Sequence, residues 1–321
     1  MANNQSHDTR GNSSNRLAQA VGLSVAARTA VVSPPTSFVP MYKEDFAVGT
    51  VGTTNPAWRY SEYSNVRSVS GTQSTRMGAN RGSGSPTCGG NVFFGNNQSM
   101  NEPEGLPEGI PIGSTVWYRV FFYFASTYSF GYVFRSGQDN AEASGCGKSA
   151  DMGNTGNKWM NFDSPGTSGK VYIKIPSSRR KAAQPSGDDP ERKTIIIENE
   201  AGSAGTTSSG MSVPLDRWFS MQLGMKVSRD NTGWVRLWID NELEAEQLNV
   251  NTIQAGDTAI TNWGIGDWWN GVPWTDGSPG EDDLWLDEII IASDMPGYGA
   301  PTGVDAAGNA YIDPATRVGD L

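Results

Sequence analysis

The proton-handling residues of this 321-residue chain are a restricted set. There is one histidine, His7, and it sits in a polar stretch, MANNQSHDTRGNSSN. That leaves no base for a Ser-His-Asp or Cys-His nucleophile and no imidazole cluster for a metal ion. Tyrosine, arginine and lysine remain. Together they suit elimination beside a carboxylate, in which Arg or Lys neutralises the carboxylate and Tyr moves the proton. Arg76, Arg119, Tyr123, Lys174 and Lys226 fall on polar faces of predicted strands and are the candidates for that chemistry. A half-exposed sheet with no catalytic role would carry scattered polar residues in the same places, so both readings stand at this point. A second candidate group is aromatic. Trp268, Trp269, Asn270 and Trp274 crowd one loop, and Trp117 lies on a strand face of mixed polar and aromatic character. Such rings stack on sugars, and they also cap cores and build subunit contacts.

The elements that must position these groups are strands. From Pro214 to Ser293 the chain reads PLDRWFSMQLGMKVS, GWVRLWIDNELEAEQ, ITNWGIGDWWNGVPW and DDLWLDEIIIAS. Each piece is a short alternating run rich in β-branched and aromatic residues, and Gly, Asp, Asn or Pro punctuates the gaps. STVWYRVFFYFAS is the strongest single strand. Tyr118, Val120, Phe122 and Phe124 form its drier face, while Trp117, Arg119, Phe121 and Tyr123 form the other. KWMNFDS, GKVYIKIPS and KTIIIENE add strands, and AGSAGTTSSG reads as a flexible link. Ten to twelve strands with no convincing long helix imply two packed antiparallel sheets. The domain reading is a polar arm over 1–37, a β-sandwich over 38–295 and a tail over 296–321.

Composition narrows the partners. A net charge of −10 disfavours nucleic acid, because phosphate binding needs clustered Lys and Arg. No apolar run approaches the roughly 20 residues needed to span a bilayer. The N-terminus lacks the apolar core of a Sec signal peptide. Cys88 and Cys146 both lie in glycine-rich loops, and whether they pair stays open.

EDFAVG, DRWFSMQLGMKVS, GWVRLWIDNELE and LWLDEIIIAS resemble, in type and order, the strands of the concanavalin A-like jelly roll. This is the sandwich of legume lectins, laminin G-like modules, laminarinase-type glycosidases and several polysaccharide lyases. The resemblance covers roughly residues 41 to 295 and is one of pattern. It implies a curved sheet whose concave face holds glycans in the enzymes. It also implies a structural Ca²⁺ shared by a carboxylate near the start of the domain, Glu44 or Asp45, and the closing-strand Asp287, since oxygen ligands suit that hard cation. Two departures weigh against catalysis. Lyases of this fold commonly pair a His with a Tyr, and the body of this chain has no His. Laminarinase-type enzymes place their carboxylates in a Glu-x-Asp-x-x-Glu run, which Asp283, Asp287 and Glu288 do not reproduce.

The sequence therefore points first to a non-catalytic sandwich in an assembly. A virion-associated capsid decoration or phage tail protein with glycan binding is expected, located on the virion or extracellularly and partnered by other subunits. The alternative is a polysaccharide lyase or other carbohydrate-active enzyme acting on an acidic polysaccharide. A third reading is a secreted lectin.

Overall fold

In a computed structural model of the chain, the described residues are 38–53, 61–77, 92–94, 97–99, 109–126, 156–164, 170–176, 194–201, 205–269 and 284–321. His7, Cys88, Cys146, Asn270 and Trp274 lie outside them, as does the predicted arm over 1–37. Trp268 and Trp269 are described for their backbone alone.

The expected all-β architecture is present. One antiparallel sheet has eight strands: β1 (Tyr42–Glu44), β2 (Ser61–Ser64), β3 (Ser74–Met77), β7 (Thr115–Phe124), β12 (Trp218–Lys226), β13 (Gly233–Ile239), β14 (Glu242–Val250) and β17 (Leu284–Ser293). A second has seven: β4 (Val92–Phe94), β5 (Asn97–Ser99), β8 (Gly156–Asp163), β9 (Lys170–Pro176), β10 (Thr194–Asn199), β11 (Gly205–Ser212) and β16 (Asn262–Trp269). Two short ribbons join β6 (Ile110–Pro111) to β15 (Ala259–Ile260), and β18 (Gly303–Val304) to β19 (Ala310–Tyr311). The eight-stranded sheet runs β14-β13-β12-β7-β17-β3-β2, with β1 also on β17, so the opening and closing strands of the body pair with each other. The other sheet runs β11-β10-β9-β8-β16-β4, with β5 also on β16.

Alternation decides which residues lie between the sheets. Tyr118, Val120, Phe122 and Phe124 of β7 enter the core, together with Met221, Leu223 and Met225 of β12. They meet Met160 and Phe162 of β8, Val171 and Ile173 of β9, and Trp263 and Ile265 of β16. Aromatic edges lock the layers: the Phe124 and Trp159 rings are 4.8 Å apart, and those of Tyr118 and Trp263 are 5.3 Å apart. Each large side chain sealed there contributes roughly 1.5–3 kcal/mol.

The closing strand breaks alternation once. Register shifts between Asp287 and Ile290, and Glu288 takes a left-handed φ of 54°. This bulge turns Ile289 and Ile291 into the main core and Ile290 to the opposite face. Ile290 is apolar as well because the face it joins is covered in its turn, by Tyr311, Ile312 and Val318.

The outer face of the eight-stranded sheet carries its own covering. Tyr311, Ile312 and Val318 of the C-terminal segment pack on Trp117, Trp238, Ile290 and Ala292. Trp117 Nε1 donates to the Ala310 carbonyl at 2.8 Å, and Trp238 Nε1 to Asp305 at 2.9 Å. Arg119 Nη1 donates to the carbonyls of Asp313 and Thr316, at 2.9 and 2.7 Å. The Ile312 amide donates to Gln222 and the Val318 amide to Glu288. The tail is thus a third layer over part of this sheet. AGSAGTTSSG is also more ordered than its composition implied: Gly205–Ser212 is an edge strand on β10.

Candidate functional site

Of the five sequence candidates for elimination, register brings Arg76 and Tyr123 to either side of Trp285, and the five together do not form one site. Arg76, Arg119, Tyr123 and Lys226 belong to the eight-stranded sheet, whereas Lys174 belongs to the other, with the core between. Arg119 is fully buried under the tail. Desolvation pulls its pKa down to about 9 against the opposing Glu288 carboxylate, so it stays charged at neutral pH. Its guanidinium serves tail carbonyls and cannot meet a polymer. Trp117, expected to bind a ligand, is held by the same tail. Arg76 is paired with Glu62 at 2.9 Å. Lys226 ends β12 opposite Thr115 and Trp234, remote from the others in register. Tyr123 is 7% exposed, with the Trp218 and Trp285 rings edge-on to it and the Arg67 guanidinium 4.0 Å from its ring centre.

Of the expected calcium residues, Glu44 stands opposite Ile289 in the pairing of β1 with β17, two residues along from Asp287. Among the described residues no three acidic, histidine or cysteine side chains form a metal-holding group. Glu44 accepts the Phe46 amide and Asp45 the Ala47 amide, each closing its own turn. Asp287 accepts the amides of Val69 at 2.7 Å and Glu288 at 2.9 Å, with Ser70 more distant at 3.4 Å. The Asp287 carboxyl is nevertheless pushed up to about 7, because burial outweighs those amides.

The outer face of the seven-stranded sheet holds a different arrangement. In β9, Val171 and Ile173 point into the core, so Tyr172 and Lys174 point away from it. Cross-strand register sets Tyr172 opposite Asn161 of β8 on one side and Glu198 of β10 on the other. Lys174 reaches Glu198 at 2.5 Å, and Asn161 Nδ2 donates to Asp163 at 2.7 Å. Residues that point away from the core of a two-sheet sandwich are ordinarily wet. Here Tyr172 is 2% exposed, Lys174 4%, and Asn161 and Asp163 5% each. Lysine and aspartate are seldom buried unless paired or functional. Gly264 of β16 faces Asn161 in register, and a Cβ there would collide with the Asn161 Oδ1, so the glycine makes room for the amide.

The electrostatics of this row centre on Tyr172. Its phenol is raised far above the ordinary tyrosine range. Burial is the largest cause, followed by the charge of Glu200, that of Asp163, the hydrogen bond to Glu200 and the charge of Glu198. Tyr172 therefore holds its proton firmly and can give it only to a strongly basic acceptor. Of this row the sequence singled out Lys174 alone. The alternation in KVYIKI puts Tyr172 on the same face as Lys174, and that signal was available. Nothing in the sequence marked Asn161, Asp163 or Glu198, because their convergence depends on register between three strands.

A family model described as "Polysaccharide lyase" matches residues 45–290, and the chain belongs to that family. Among solved structures, it is similar to an endo-β-1,4-glucuronan lyase from the fungus Trichoderma reesei, at 14% identity and a TM-score of 0.50, covering 79% of this chain and 95% of that one. It is also similar to an alginate lyase from Aplysia kurodai, at 10% identity and a TM-score of 0.45, over 79% of this chain and 98% of that one. A third is an alginate lyase from a Chlorella virus, at 10% identity and a TM-score of 0.39, over 73% and 92%. No curated protein matches the sequence. The family membership favours the carbohydrate-active alternative over the non-catalytic virion reading, which nothing in these comparisons supports.

Proposed function

We propose that this member of the polysaccharide lyase family cleaves a uronic-acid polymer by β-elimination on the outer face of the seven-stranded sheet. The observation that carries the reading is the polar row of buried Asn161, Tyr172 and Lys174, with half-buried Glu198 beside them, on the side of the seven-stranded sheet that points away from the core. Lys174 turns from Glu198 to the substrate carboxylate, and the Asn161 amide donates to the same group, so that negative charge spreading from C5 is stabilised. Glu198, released from its ion pair, takes the C5 proton. The C5–H electron pair becomes the C4=C5 double bond, the C4–O bond breaks, and the departing oxygen takes the Tyr172 proton. On product release the proton returns from Glu198 to the tyrosine. The products are a shortened chain and a chain ending in an unsaturated uronate. Polyglucuronate is the first polymer to try, since the structurally similar fungal enzyme is a glucuronan lyase.

Substitution separates the two tyrosines. Tyr172→Phe is expected to lower turnover by about 10²–10⁴-fold, the usual weight of a positioned proton donor, while leaving the melting temperature near that of the unsubstituted protein. Tyr123→Phe, on the other sheet, is expected to leave turnover within a factor of about two. Equal loss in both variants, or none in Tyr172→Phe, contradicts the assignment.

A further inference from the structure

Two arginines without an ion-pair partner stand over the outer face of the eight-stranded sheet, Arg67 from the segment before β3 and Arg317 from the tail itself. Arg67 lies 4.0 Å from the Tyr123 ring centre and 4.9 Å from that of Trp285. Arg317 lies 4.8 Å from the Phe121 ring centre. Phe121 and Tyr123 are two apart on β7 and share its outer face, so the guanidiniums stand over neighbouring rings of one strand. Neither forms an ion pair or a side-chain hydrogen bond, and each keeps a buried nitrogen without a partner: Nε of Arg67 and Nη1 of Arg317. The carboxylate whose charge acts on Arg67 is Asp216, which forms no ion pair with it and accepts the Ser126 amide at 2.9 Å. In a chain of net charge −10, two unpaired cations side by side on one face call for an external anion.

We infer that this face is a second, non-catalytic site for the carboxylates of an acidic oligosaccharide. A guanidinium stacked on a ring leaves its planar fork of N–H groups free at the edge, the geometry that takes a carboxylate through two parallel hydrogen bonds. Trp218, half-buried beside Tyr123, offers an apolar surface to the sugar ring next to that carboxylate. Two guanidiniums over adjacent rings select a ligand with repeated carboxylates rather than a single one. The site lies across the core from Tyr172 and Lys174, so its existence does not depend on the elimination proposed there.

Calorimetric titration of the full chain with oligoglucuronate tests it. The unsubstituted protein is expected to bind at two sites. Arg67→Ala with Arg317→Ala is expected to bind at one, and Lys174→Ala is expected to retain the site that the double variant loses. Circular dichroism and a melting curve establish that the double variant is folded. If it is not, Arg67→Gln alone is expected to weaken the second site by about tenfold. A neutral β-1,4-glucan oligomer of equal length is expected not to bind this face. Two-site binding by a folded double variant overturns the inference, as does equally tight binding of the neutral oligomer. Full displacement by inorganic phosphate at the same concentration as the oligomer also overturns it, because the face would then be a general anion site. Absence of cleavage with two-site binding intact counts against the lyase reading and not against this one.

Discussion

Tyr172 donates its phenolic proton to Glu200 while Asp163 and Glu198 stand nearby, and this gathering of carboxylates makes the phenol harder to ionise. A tyrosine in such surroundings serves as an acid. An ordinary tyrosine gives up its proton at a pH of about 10, and an enzyme relying on one would lose its acid there. With the Tyr172 phenol raised, turnover is expected to show no downward limb from this group as pH passes that value. A pH-rate profile on a soluble polyuronide, taken over the range in which the fold survives, is the check. Arg119 illustrates the opposite case, a charged residue buried for the fold. Its guanidinium has four oxygens to satisfy it: the Asp313, Thr316 and Glu288 carbonyls and the Glu288 carboxylate 3.6 Å away. Arg119→Ala leaves the buried Glu288 side chain without its cationic partner. It is expected to cost about 3–5 kcal/mol in urea unfolding, far more than Arg236→Ala at the exposed pair with Glu246.

At the scale of elements, the bulge in β17 ties chemistry to topology. It buries Asp287 and Glu288 side by side, and Asp287 anchors the 69–70 turn through backbone amides. The Asp287 carboxyl titrates near 4 when unfolded and at about 7 when folded, so between these values the native state binds a proton that the unfolded state does not. Its contribution to stability is full below about pH 4 and is lost as pH rises towards 7, with a slope of at most about 1.4 kcal/mol per pH unit. Asp287→Asn is expected to flatten that fall, as read from urea midpoints across the window. An unchanged slope contradicts it. The strands themselves were legible in the sequence. TVWYRVFFYF and WFSMQLGMK alternate cleanly, and the core takes the faces that alternation assigned. The other faces were not. Trp117 and Arg119 read as ligand-facing because the pattern shows which residues leave the core and not what covers them, and their cover comes from Ala310–Val318, nearly 200 residues later in the chain. The edge strand Gly205–Ser212 was missed because an edge exchanging backbone hydrogen bonds needs no apolar side chains to signal it.

At the scale of the whole molecule, the two sheets divide the work. The eight-stranded sheet pairs the opening and closing strands and takes the tail on its outer face, where Arg67 stands over Tyr123 and the tail's Arg317 over Phe121. The seven-stranded sheet turns its polar row outward. The family match over residues 45–290 takes in strands of both sheets. The absence of histidine from the body argued against a lyase as long as an imidazole was required. In the proposed mechanism a buried phenol with a lysine, an amide and a carboxylate around it takes over those proton transfers. The central claim is the bond broken and the way it breaks. Incubation of the purified chain with polyglucuronate and with alginate, followed by ultraviolet absorbance and mass spectrometry of the products, tests this directly. The account predicts chain ends that carry an unsaturated uronate and fragments that gain no water. Fragments enlarged by one water, or polymers of unchanged length, would contradict it.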